Sequence, residues 1–175
     1  MHQYLLFTLT LLFLFACNKE DDGPINPVDQ LPPATQTGVG MMACLIDGEP
    51  WVNSPDGLGF QGIRTTVSGP PRPGLSIIGK YDPDRTGTNS QTVLFKLHPI
   101  QEGRIEVDSA DYSYIIRSPG LYHRFWPNTN RSNYVDVTYL DVDDRIISGT
   151  FEIVVFDSET QDSVTITEGR FDVNF

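Results

Sequence analysis

From Gly38 onward the chain alternates apolar and polar residues with a period of two. Val93, Phe95 and Leu97 interleave with Thr92, Leu94 and Lys96, and Tyr112, Tyr114 and Ile116 with Asp111 and Ser113. Val135, Val137 and Tyr139 interleave with Asp136 and Thr138, and Phe151, Ile153 and Val155 with Thr150, Glu152 and Val154. Successive side chains of a strand point to opposite faces, so this spacing predicts strands with one buried face. The enrichment in β-branched and aromatic residues agrees. Turn-forming residues punctuate the pattern at Asp47-Gly48, Pro55-Asp56-Gly57, Gly69-Pro70-Pro71, Asp82-Pro83-Asp84, Pro127-Asn128 and Asp143-Asp144. No run of ten residues carries helical spacing.

Strands are expected over 41–46, 59–67, 74–81, 91–98, 103–107, 111–117, 133–140, 146–157 and 163–174. Many short strands at short spacings predict an all-β domain, a single antiparallel β-sandwich or small β-barrel-like domain of about 8–10 strands. The last strand changes phase. Val164 and Ile166 fall on even positions, Phe171, Val173 and Phe175 on odd ones, so one residue must be absorbed between them, and Gly169 is the expected bulge. Residues 157–162 are polar and read as the loop of a terminal hairpin.

The first residues follow a different rule. Leu5 to Ala16 is an uncharged apolar run ending at Cys17. It matches the roughly 7–15 residues of a signal-peptide core and falls short of the ~20 that span a bilayer. Ala16-Cys17 resembles the bacterial lipobox, which implies cleavage before Cys17 and lipidation of its thiol. Phe15 is bulky where that motif has a small residue, and Met1-His2-Gln3-Tyr4 lacks the usual positive charge. Lys19-Glu20-Asp21-Asp22 resembles the signal that routes Bacteroidetes lipoproteins to the cell exterior. The expected organisation is a signal peptide over 1–16, a lipidated and flexible linker over 17–37, and an all-β domain over 38–175. The linker carries Pro24, Pro27, Pro32 and Pro33 with little apolar surface.

Charge narrows the partners. The chain carries 23 acidic against 12 basic residues, a formal net charge of −11. That argues against nucleic acid and against anionic membrane surfaces as partners, since both need basic patches. Membrane attachment is expected through the acyl chains on Cys17 alone. With Cys17 lipidated, Cys44 has no partner, so no disulfide is expected, and Cys44 reads as a small buried hydrophobe. Phe175 closes an alternating strand as in outer-membrane barrels. The faces opposite the apolar ones carry charged and amide residues, however, which a lipid-facing surface does not tolerate.

Cys44-Leu45-Ile46-Asp47-Gly48-Glu49-Pro50-Trp51 near the start, Ile147-Ser148-Gly149-Thr150-Phe151-Glu152, and Thr165-Ile166-Thr167-Glu168-Gly169-Arg170-Phe171-Asp172-Val173 near the end resemble a family of uncharacterised Bacteroidetes lipoproteins. The resemblance implies an all-β domain on a lipid anchor, and carries over no catalytic residue. The same residues have a structural role in prospect: a tight turn at Asp47-Gly48, a core plug at Trp51, and bends at Gly149 and Gly169.

No cofactor is expected, and no metal-ligand spacing appears among His98, His123 and Cys44. Oxygen ligands alternate at Asp82, Asp84 and Thr86, a weak calcium candidate interrupted by Pro83 and Arg85 and lacking a closing Glu. Tyr122-His123-Arg124-Phe125-Trp126-Pro127-Asn128 is the densest aromatic segment. Tyr122, His123, Arg124 and Trp126 are of the types that stack on and hydrogen-bond sugars or peptides, while the alternative is that Phe125 and Trp126 cover one open end of the sandwich. Three function classes stay open: a non-catalytic binding module for a glycan, peptide or partner protein, a structural subunit of an envelope assembly, and a hydrolase with dispersed carboxylates.

Overall fold

The computed structural model describes residues 26–55, 62–69, 73–108 and 111–175. The export segment, Cys17 and residues 18–25 of the expected linker lie outside the described residues, as do the start of the strand expected over 59–67 and the turn residues Asp56, Gly57, Pro70 and Pro71. The described residues form eleven strands: β1 (Met41–Ile46), β2 (Glu49–Val52), β3 (Ile63–Ser68), β4 (Gly74–Tyr81), β5 (Ser90–Leu97), β6 (Gly103–Glu106), β7 (Tyr112–Ser118), β8 (Leu121–Pro127), β9 (Tyr134–Asp141), β10 (Ile146–Phe156) and β11 (Ser163–Asn174).

All pairings are antiparallel, in the order β2-β1-β11-β10-β8-β7-β5-β4-β3, with β9 and β6 added beside the first half of β10. The sheet curls into a half-barrel, so β3–β4–β5–β7–β8 faces the β1, β9, β10 and β11 part across one core. This is the all-β, sandwich-to-barrel architecture that the alternation predicts. The inward positions of each strand, among them Ile77, Val93, Phe95, Tyr112, Tyr114, Phe151, Ile153 and Phe171, are fully buried. Phe95 sits at the centre, its ring 5.3 Å from that of Phe151 and 5.2 Å from that of Phe171. The open flank is bridged where Ser54 donates its N–H to the Lys80 carbonyl and Thr65 its hydroxyl to the Asn174 carbonyl.

The turn at Asp47-Gly48 forms as predicted. Both residues have positive φ, 50° and 86°, the two-residue hairpin geometry whose twist suits flanking strands. Trp51 is buried and packs over Gly79, and Cys44 is buried with its thiol pushed up by desolvation.

Two strands were not expected. β2 is only four residues long and contains Pro50, which suits its place at the sheet edge. β8 puts aromatic side chains on its outer face, so its polar–apolar contrast is weak. The expected bulge also moves by one residue. The register between β10 and β11 slips between Phe151 and Ile153, and Glu168, not Gly169, carries the positive φ of 52°. Gly169 is needed because Phe151 crosses it, and Gly149 because Phe171 crosses it. Each glycine thus lies under a ring as well as at a register shift, Gly149 where β10 slips against β9 and Gly169 beside the slip of β11.

The described part of the expected linker, residues 26–37, is docked. Pro27–Gln30 forms a short 3-10 helix, and Leu31 packs with Val28 on Met41, Ala43 and Leu45 of the outer face of β1. The reason is Asp172. Its carboxylate accepts hydrogen bonds from Thr35 Oγ1 (2.6 Å), Gly38 N (2.8 Å), Thr37 N (3.0 Å) and Ser148 Oγ (2.7 Å). A buried carboxylate demands such donors, and polar residues read as linker supply them.

Candidate functional site

The candidate site forms where β10 changes partners. Its first half pairs with β9, and only Val155 and Phe156 pair with β8, opposite Pro127 and Trp126. At the fork the Val154 N–H donates to Asn133 Oδ1 at 2.8 Å, and Asn133 Nδ2 reaches back to the Asn128 carbonyl at 2.9 Å. The buried Asn133 amide thus replaces a ladder bond and fixes where β8 leaves β10.

Beyond the fork, among the described residues, β8 pairs as a strand with β7 alone, from Leu121 to Phe125. A small cleft of about 170 Å³ opens there, lined by Tyr122, His123, Arg124 and Trp126 on one side and Asp157, Ser158 and Glu159 on the other. All four binding residues expected from the sequence therefore meet in one place. Phe125 alternates away into the core, 4% exposed, whereas Trp126 is 38% and Tyr122 56% exposed.

Asp157 organises the cleft. Its Oδ2 lies 2.9 Å from His123 Nδ1, and its Oδ1 accepts the Glu159 N–H at 2.8 Å. The His123 hydrogen bond, followed by that of the Glu159 N–H, holds the Asp157 carboxyl below its ordinary range against the opposing effect of burial. The ionised carboxylate is an acceptor, so Nδ1 carries the proton and Nε2 remains as the ring's second hydrogen-bonding atom. The Arg124 guanidinium lies 4.0 Å from the Trp126 ring centroid, and that of Arg117 lies 5.4 Å from the Tyr122 ring. These cation–π contacts help to hold the rings. One Arg124 amino group reaches Ser113 Oγ at 3.5 Å.

Such a cleft can stack a planar or cyclic ligand and hydrogen-bond it from His123 and Arg124. A histidine held by an aspartate is also the arrangement a nucleophilic site uses for its base, and Ser158 lines the same cleft. Among the described residues, no hydrogen bond joins the Ser158 hydroxyl to His123. Sequence reading missed Asp157, Ser158 and Glu159 as site residues. They sit on an ordinary polar hairpin loop, and the only signal was a His and an Asp thirty-four residues apart.

The calcium candidates come together in one loop: Asp84 takes the Thr86 hydroxyl and lies against the Asp82 side chain. Asp82 is buried and takes Lys80 Nζ at 3.1 Å and the Gly87 N–H at 2.9 Å on the same oxygen. Asp84 accepts the N–H and the hydroxyl of Thr86 at 3.0 and 2.8 Å, and the Thr86 N–H above all lowers its pKa to about 2. The loop's own donors take Asp82 Oδ2 and both oxygens of Asp84 and leave the buried Asp82 Oδ1 without a hydrogen-bond partner, and among the described residues no cluster of three His, Cys, Asp or Glu is arranged for a metal.

Two larger hollows were not anticipated. One of about 470 Å³ lies between Trp51, Tyr81 and Gln91, and one of about 380 Å³ between Ala34, Tyr134 and Arg170. The second also holds titratable groups, Tyr134, Glu152 and the Arg170–Glu168 pair at 3.7 Å, but neither sets exposed Trp and Tyr rings beside a His–Asp pair as the Trp126 cleft does. No family model, no curated protein and no solved structure matches the chain.

Proposed function

We propose that the protein is a non-catalytic binding module whose ligand, a glycan, is held in the cleft between β8 and the 157–159 loop. The observation that carries this is the convergence of exposed Trp126 and Tyr122 with Arg124 and the fixed His123–Asp157 pair in one cleft. Exposed aromatics stack on the apolar faces of sugars, and the flanking donors address hydroxyls.

The lipobox-like Ala16-Cys17 and the acidic run after it support placing the module on a lipid anchor at the outer membrane, facing the cell exterior, in a Bacteroidetes-type lipoprotein. Cys17→Ala is expected to release the protein from membranes. Retention of that variant in the membrane fraction would remove the anchor from the account.

The test of the cleft is retardation of the protein in affinity gels carrying a panel of neutral and charged glycans. Trp126→Ala is expected to lose about tenfold or more in affinity, the size of an interface hot spot, with its thermal melt preserved. Hydrolysis of an ester or glycoside substrate that disappears in Ser158→Ala or His123→Ala would make the cleft an active site and overturn the binding reading.

A further inference from the structure

The net charge of −11 is unevenly distributed. In β3, β4, β5, β7 and β8 the inward positions, such as Leu75, Ile77, Val93, Phe95, Tyr114 and Phe125, are buried. The alternate positions form the outer face of this sheet. They carry Arg64, Lys80, Lys96, Arg117 and Arg124, five of the chain's twelve cations, and no Asp or Glu. Lys80 is engaged by Asp82. Among the described residues, Arg64, Lys96, Arg117 and Arg124 have no carboxylate within 4.0 Å. The acids near this face lie at its rim: Asp111 where β7 begins, and Asp157 and Glu159 in the cleft.

The registers connect this face to the Trp126 cleft. Arg124 stands opposite Ile115, Ile115 opposite Thr92, and Thr92 opposite Lys80. Ser113, which Arg124 reaches, stands opposite Leu94, Leu94 opposite Ile78, and Ile78 opposite Arg64. The face therefore runs from β8 to β3 over four strand spacings, about 19 Å. Half-buried Ile78, Leu94 and Ile115 lie between the cations.

We propose that this face, continuous with the cleft, binds a carboxylated polysaccharide, a polyuronate chain, which deepens and rests on the glycan-binding reading above. Arginine presents a planar fork that matches a carboxylate in bidentate fashion. The Arg117 and Arg124 guanidinium carbons lie 5.4 and 4.0 Å from the Tyr122 and Trp126 ring centroids, and among the described residues neither cation is spent on a carboxylate. Sugar faces stack on the aromatic rings while the carboxylates of successive residues meet the cations. Duplex DNA, with about one charge per 1.7 Å, brings a far denser charge against an acidic protein. The membrane is disfavoured by the path of the chain. Val28 and Leu31, near the start of the described chain, dock on the outer face of β1, on the opposite side of the core from the basic face.

The test is affinity electrophoresis of the protein with polygalacturonate, dextran, dextran sulfate, phosphatidylglycerol vesicles and duplex DNA, and calorimetry with galacturonate trimers. Polygalacturonate is expected to bind at least tenfold more tightly than dextran, with affinity falling as salt rises. Arg64→Ala/Lys96→Ala, at exposed positions remote from the cleft, is expected to weaken polymer binding at least fivefold and leave trimer binding unchanged, with an unaltered thermal melt as the control. Preference for dextran sulfate, vesicles or DNA over polygalacturonate overturns the assignment, as does an unaffected Arg64→Ala/Lys96→Ala variant. Trp126-dependent binding of dextran with no preference for polygalacturonate overturns the polyuronate assignment alone and leaves the cleft reading standing. Binding of no glycan removes both.

Discussion

Phe171 and Gly149 face each other across the β10–β11 ladder, and a Cβ on Gly149 would lie 2.8 Å from the Phe171 ring. Two residues along, Phe151 and Gly169 repeat the relationship with the strands exchanged, and a Cβ on Gly169 would lie 2.6 Å from the Phe151 ring. Each ring covers the glycine opposite and reaches Phe95 from its own side.

Gly149→Ala and Gly169→Ala are each expected to cost about 3 kcal/mol, because the added methyl meets both a packed ring and a strand carbonyl. For a domain of this size that is a fall in Tm of about 6–12 °C. Gly69→Ala is the control. Gly69 has open space around its Cβ direction and an ordinary φ, so its melt is expected to match wild type.

Asp172 is predicted to make docking of residues 35–39 acid-sensitive. Burial alone would raise its pKa, but hydrogen bonds from Thr35, Thr37, Ser148 and Gly38 together lower it. A lowered folded-state value means the carboxylate stabilises fully above about pH 4, the ordinary aspartate range, and loses that effect as pH falls through the folded value. Hydrogen exchange at the Thr37 and Gly38 amides is expected to accelerate below about pH 4. Asp172→Asn, which turns an amide donor toward donors, is expected to cost about 2–3 kcal/mol at neutral pH.

Neighbouring residues of β8 are predicted to behave in opposite ways. Phe125→Ala removes a core ring and is expected to cost about 3–5 kcal/mol. Trp126→Ala removes an exposed ring stacked on Arg124 and is expected to cost about 1 kcal/mol or less. Chemical denaturation of the two variants separates them. A large loss in Trp126→Ala would make that residue part of the core.

The cleft's own pH dependence follows from Asp157. Its pKa is lowered, so the link to His123 persists above the ordinary aspartate range and is lost as pH falls through the folded value. The His123 ring resonances are expected to report a loosened ring at low pH, and Asp157→Ala to produce the same loosening at neutral pH.

Much of this structure is written in local pattern. The long alternation of β5 and β10 marks strands buried on one face, and Asp47-Gly48 marks its hairpin. β8 was hidden because Tyr122 and Trp126 face outward, which erases the contrast that period-two reading needs. Yet those same exposed aromatics singled out Tyr122, His123, Arg124 and Trp126, which the fold places along one cleft. Asp157 was not legible, because its role depends on a fold that brings a loop thirty-four residues away onto His123. The docked segment was masked by its linker-like composition, since its partner Asp172 lies at the other end of the chain. The bulge was legible to within one residue, because phase counting finds the extra residue but ring packing places the glycine.

Trp51 and Trp126 are the chain's two tryptophans, and Trp51 is buried in the core. In a Trp51→Phe variant, the emission therefore reports the cleft alone. Titration of that variant with galacturonate oligomers and neutral oligosaccharides tests the central claim most directly. A saturable change in Trp126 emission with at least one of them is predicted. A flat titration with all of them, in a protein still folded by circular dichroism, would contradict glycan binding at this cleft.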